Sequence, residues 1–173
     1  FRRLNPELSY TSRPRGHRLI RSLQYGASSN LLFSTIDHTS LNREFDLTLA
    51  NLATHRQDSV QLRVLPTFER LEQDFTINRG VTLPVGSAYN WTRYRVQVTT
   101  APRRVVAINQ IYEFGGFYNG TRLRVATDLN VRVRPGVIVY TSAEWNRVEL
   151  GQGRFETRLL RVVPELQFSP WIA

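Results

Sequence analysis

Alternation with a period of two dominates this chain, and helical periodicity is almost absent. The clearest case runs from Thr121 to Val133, where Thr121, Leu123, Val125, Thr127, Leu129, Val131 and Val133 interleave with Arg122, Arg124, Ala126, Asp128, Asn130 and Arg132. Successive side chains of a strand point to opposite faces, so this segment predicts a strand with one apolar and one charged face. The same period predicts strands over 19–34, 41–54, 59–71, 89–100, 105–118, 121–133, 137–150 and 154–168. In 41–54, Phe45, Leu47 and Leu49 oppose Glu44, Asp46 and Thr48. In 89–100, Tyr94, Val96 and Val98 oppose Arg93, Arg95 and Gln97.

The predicted connections are of two kinds. Polar or Pro/Gly-containing turns fall at 35–40, 55–58, 101–104 and 134–136, and 72–88 is a longer loop carrying Gly80, Pro84 and Gly86. Asn119-Gly120 is the sequence signal of a type I′ hairpin. Neighbouring strands joined by such turns pair with each other, so the expected fold is all-β. It is an antiparallel meander of about eight long strands in one curved sheet.

Strand length changes the picture. Runs of about 12 to 16 residues exceed the five or six usual in globular sheets. An outer-membrane-type up-and-down β-barrel needs tilted strands of about 9–11 residues in the hydrocarbon, with apolar side chains outward and polar ones lining the lumen. On this reading Arg93, Arg95, Gln97, Arg122, Arg124, Asp128, Asn130, Arg132 and Glu144 face the lumen. Leu123, Val125, Leu129, Val131 and Val133 face lipid, and Trp91, Tyr94, Tyr112, Phe114, Tyr118 and Trp145 are interface aromatics. The whole of 1–173 reads as one barrel segment, open or only partly closed, with outer-membrane lipid as its surroundings and the bacterial outer membrane as its location. The competing reading is a soluble all-β binding module with a basic face for anionic ligands, because any half-buried antiparallel strand alternates.

Composition narrows the chemistry. Cysteine is absent, which removes disulfides and thiolate metal sites. There are 23 basic residues, all arginine, against 14 acidic ones. The arginines are spread through nearly every strand and turn without a concentrated stripe, so no nucleic-acid partner is expected. No stretch of 18 apolar residues occurs, so no transmembrane helix is expected. Phe1 is not methionine and no secretory leader stands at the start, as expected of a piece of a longer protein.

The segments ERLEQDFTINRGVTLPVGSAYNWTRYRVQVTT, YEFGGFYNGTRLRV and GRFETRLLRVVPELQFSP resemble the C-terminal barrel region of the DUF5916 family. The matching elements are Glu69-Arg70, the Gly80-Val81-Thr82 loop, Thr92 to Val96, the hairpin from Gly115 to Gly120, and Phe168-Ser169-Pro170, in the family's order. The stretch 1–56 resembles it more weakly. The resemblance implies an outer-membrane barrel following an N-terminal carbohydrate-binding family 9-like module. It also implies a glycan partner through that module, and both the module and the family's final strands are missing from this sequence.

No catalytic constellation is visible. His17, His38 and His55 sit in or beside different turns without ligand spacing. Glu113, Glu144, Asp128 and Glu165 fall mostly on polar faces opposite arginines, as cross-strand pairs would. No G-x-S-x-G elbow occurs, and Gly115-Gly116 reads as a bulge or close-packing site. Asn90-Trp91-Thr92 and Asn119-Gly120-Thr121 match the short glycosylation pattern, which is idle in a bacterial protein. No cofactor is expected.

Overall fold

The computed structural model describes residues 1–35, 39–78 and 80–166. His38 and the Phe168-Ser169-Pro170 turn lie outside them. Within them the chain is all-β, with twelve strands: β1 (Arg2–Leu4), β2 (Glu7–Ser12), β3 (Ile20–Phe33), β4 (Ser40–Thr54), β5 (Ser59–Arg70), β6 (Phe75–Asn78), β7 (Val81–Leu83), β8 (Ala88–Thr99), β9 (Val106–Phe117), β10 (Gly120–Arg134), β11 (Val137–Leu150) and β12 (Gly153–Leu166). Ten of them form one sheet in the order β1-β3-β4-β5-β8-β9-β10-β11-β12, with β2 also on β3, and every pairing is antiparallel. The sheet is open and does not close into a barrel. The eight long strands coincide with the eight predicted runs.

Three features differ from the sequence reading. First, β1 and β2 take successive lengths of one edge of β3, opposite Leu31–Phe33 and Leu23–Ser28 respectively. Their short, exposed segments lack the long alternation that marks the others. Second, the predicted loop at 72–88 contains a two-stranded hairpin, β6–β7. Backbone bonds between Leu71 and Ser87, 2.9 Å, and between Gly86 and Leu71, 2.8 Å, pinch its base. Third, the β9–β10 turn is centred on Tyr118-Asn119, and Tyr118 alone of that pair has a positive φ, 50°. That is the sign pattern of a type II′ turn, not the type I′ turn read from Asn119-Gly120.

Connection lengths do not sort the two ends into tight and loose. The hairpin insertion shares its end with the two-residue turns β9–β10 and β11–β12, while the equally short β10–β11 turn lies at the other end. In β4 a register shift between Thr48 and Ala50 offsets the alternation at Leu49. Beyond it, Asn51 and Ala53 take the face that Asp46 and Thr48 hold before it. The β4–β5 ladder also skips the positions opposite Leu65 and Pro66, which accommodates a residue that has no N–H to donate.

Candidate functional site: the charged face of the sheet

Residues directly opposite each other in an antiparallel ladder share a face, so the register assigns every side chain. One row runs Arg63–Arg95–Glu113–Arg124–Asn146 across β5, β8, β9, β10 and β11. The next row, toward the insertion, runs Leu65–Arg93–Gly115–Arg122–Val148. Gln97, Asp128, Asn130, Arg132 and Glu144 fall on this same face. Leu123, Val125, Leu129, Val131, Tyr94, Val96 and Val98 fall on the other, and so does Val133 by alternation.

The charged face is the more enclosed of the two. Glu113 is 2% exposed, and Thr67, Asn146, Leu65, Ala107 and Ala126 on the same face are buried. On the apolar face Tyr94 is 46% exposed and Phe114 47%, and Val60, Leu62, Val106, Tyr112 and Leu123 are exposed as well. A soluble half-buried sheet has the opposite polarity.

Ion pairs tie the charged face together across strands. Glu113 Oε1 accepts from Arg93 at 3.0 Å, and Glu113 Oε2 accepts from Arg95 Nε at 2.8 Å. Arg124 donates to Glu144 at 2.7 Å, and Arg122 donates to Asn146 Oδ1 through Nε at 3.1 Å and Nη2 at 2.7 Å. Asp46 on β4 holds Arg63 through Nε at 2.7 Å. Toward the other end, Gln97 and Asn109 bond at 2.8 Å and Asn109 donates to Asp128 at 3.0 Å. A sequence with dispersed arginines thus folds into a face where five of them, from three strands, share two rows. The fold, not any motif, concentrates them, which is why sequence reading saw no stripe.

The β6–β7 hairpin lies on this charged side, over the end of the sheet that carries the β9–β10 turn. Val81 packs with Val148 and Leu150, and Ile77, Phe117, Tyr118 and Phe155 surround that cluster. Beside it an aromatic group joins Trp91, Phe117, Tyr118, Tyr89 and Phe75, with the Trp91 and Tyr118 centroids 4.7 Å apart. The Tyr118 hydroxyl donates to Glu69 at 2.9 Å. Burial, then the adjacent Glu69 carboxylate, pushes the Tyr118 phenol well above the ordinary tyrosine range.

Trp91 and Tyr118 therefore depart from the expected aromatic set. Trp91 shares its register face with Arg93 and Arg95 and is buried. Tyr118 leaves the strand with a left-handed backbone and swings onto the same side. Tyr94, Tyr112, Phe114 and Trp145 are on the apolar face, where Tyr94 and Phe114 stack at 5.7 Å. Trp145 sits between apolar Ala143 and charged Arg147 along that face of β11, and its Nε1 donates to Glu156 at 3.3 Å.

Of the histidines, His17 Nδ1 accepts from the Ile20 amide at 2.9 Å, and His55 Nε2 lies 3.0 Å from the His17 carbonyl. Among the described residues, no group of three or more metal-ligating side chains forms. No family model matches the chain, and no similar curated protein or solved structure is found.

Proposed function

We propose that this sheet is a segment of a bacterial outer-membrane β-barrel, with its apolar face toward lipid and its charged face lining the lumen. It would serve as a pore or as the membrane anchor of a carbohydrate-linked protein, as the resemblance to the DUF5916 family implies. The observation that carries the reading is the inverted polarity: enclosed Glu113, Arg93 and Arg95 against exposed Tyr94, Phe114 and Leu123. Strands of 12 to 15 residues from β3 to β12, apart from the insertion, exceed the 9–11 or so that a tilted strand needs to cross hydrocarbon. The reverse orientation would place Arg63, Arg93, Arg95, Arg122 and Arg124 against lipid, at about 2–4 kcal/mol for each one near mid-membrane.

The apolar face also treats its polar members as a hydrocarbon environment demands. Gln110 lies there among Ile108 and Tyr112, and its amide is satisfied by Thr127 at 2.6 Å and by the Ala126 carbonyl at 3.0 Å. Charged residues of this face lie toward the end of the sheet that carries the β11–β12 turn: on β11 Arg147 holds Glu149, and on β4 Arg43 lies 4.4 Å over the Phe68 ring of β5. Such positions suit a headgroup zone.

The full-length protein, expressed with its own flanks, is expected in the outer-membrane fraction. It should be extracted only with detergent and show a gel mobility that shifts on boiling. A protein that stays soluble and monomeric without detergent would overturn the reading in favour of a binding module with a basic face.

A further inference from the structure

We propose that Arg93 and Arg122, facing each other across Gly115, form a binding site for the oxyanion group, carboxylate or phosphate, of a small solute. The inference rests on the barrel reading only in taking the charged face to be open to solution.

Geometry makes the site. Arg93 and Arg122 are both register partners of Gly115, from the strands on either side of β9. Neighbouring strands lie about 4.8 Å apart, so the two backbones stand roughly 10 Å from each other, a span that two long guanidinium side chains close around one oxyanion. Between them there is no side chain, and none fits. A Cβ on Gly115 would come 2.5 Å from the Thr92 carbonyl oxygen, and its φ of 132° is one that L residues rarely adopt. The gap in the row is therefore fixed by the backbone.

Charge points the same way. Arg93, Arg95, Arg122 and Arg124 share two adjacent rows with Glu113, and Glu144 lies beside them, leaving two positive charges in excess, four against two. Glu113 is divided between Arg93 and Arg95, and Glu144 is taken by Arg124. Arg122 bonds only the neutral Asn146 amide, and among the described residues it joins no ion pair. Arg93 Nε is buried with no partner, a donor left over in a place where unsatisfied polar groups are rare.

The surroundings would strengthen such a contact. Arg122 lies 5.4 Å from the Phe117 ring, and Ile77 and Val81 of the inserted hairpin pack beside Phe117 and Val148. This apolar group stands beside Arg122, where partial exclusion of water strengthens a charge-assisted bond. A cavity of about 450 Å³, lined by Arg3, Asn30, Glu44, Asp46, Thr67 and Arg93, adjoins it and leaves room for the rest of a solute.

The test is calorimetric titration of inorganic phosphate into the full-length protein in zwitterionic detergent at low salt, with the boiling shift recorded on the same samples. The expected result is saturable binding near one equivalent, weakened at least tenfold in Arg122→Gln and in Arg93→Gln, and strengthened in Glu113→Gln, which removes the competing carboxylate. Absence of saturable binding, or binding in either arginine variant as tight as in the unaltered protein, overturns the proposal. Should these variants fail to fold, Arg122→Lys serves: retention of charge without the fork should weaken binding measurably, and unchanged affinity overturns the site. Binding of anionic lipid with no binding of free phosphate would also overturn it. A heat-modifiable barrel without phosphate binding sinks this site alone, whereas phosphate binding by a soluble protein sinks the barrel reading and keeps the site.

Discussion

Thr127 donates a hydrogen bond to Gln110 Oε1 at 2.6 Å across β9 and β10, on the apolar face of the sheet. The pair neutralises a polar side chain where its neighbours are Ile108, Tyr112, Val125 and Leu129. Thr127→Val should therefore destabilise the protein by about 1 kcal/mol in a bilayer, in line with hydrogen bonds inside membranes. The double variant Gln110→Leu, Thr127→Val should recover that loss. Urea unfolding in lipid vesicles measures both, and additive losses in the double variant would show that the pair is not coupled.

Glu113 should behave in the opposite way. It is enclosed and accepts from both Arg93 and Arg95, so Glu113→Leu leaves two guanidinium groups without their shared carboxylate. Removing one partner of a buried pair costs about 3–5 kcal/mol. Unfolding midpoints of Glu113→Leu and Gln110→Leu compared side by side test the asymmetry; equal effects would contradict the assignment of faces.

Tyr118 supplies a pH-dependent test outside the long strands. Its phenol is raised above its ordinary value by burial and then by Glu69, so the fold favours the neutral form. That contribution is complete below the ordinary pKa of about 10 and is lost as pH rises through the higher folded value. Ultraviolet titration should show a phenol ionising above the usual range, and Tyr118→Phe should abolish that component. Glu69→Gln should move it down.

Val81, buried against Val148 and Leu150, is one of the residues that hold the β6–β7 hairpin over the charged face, beside fully buried Leu83. Val81→Asp should release it. Limited proteolysis is expected to cut the variant within 72–86 while the long strands remain intact, and an uncut variant would mean that the hairpin base, not Val81, holds it.

Strand existence and pairing were legible in the sequence because the long runs alternate over most of their length and are bounded by turn residues. The eight observed long strands start and stop within one residue of the predicted runs, apart from the end of 154–168, which lies outside the described residues. β6–β7 was not legible, since Phe75–Asn78 and Val81–Leu83 are too short to show a period. Trp91 could have been placed correctly: it is two residues from Arg93 and four from Arg95, so alternation puts all three on one face. Tyr118 could not, because its parity matches Tyr112 and Phe114 until a left-handed turn redirects it. The arginine rows depend on register between paired residues up to 32 positions apart, Arg63 and Arg95, which no local pattern reveals.

The absence of cysteine makes the central claim directly measurable. Single cysteines at Leu123, Val125 and Leu129 and at Arg124, Asp128 and Gln97, each carrying an environment-sensitive fluorophore, report the two faces in reconstituted vesicles. The first set should be quenched by lipid-borne quenchers and spared by aqueous iodide, and the second set should show the reverse, alternating residue by residue along β10. Iodide quenching of both sets, or protection of the Leu123 set without lipid contact, would contradict a sheet that turns its apolar face to the membrane.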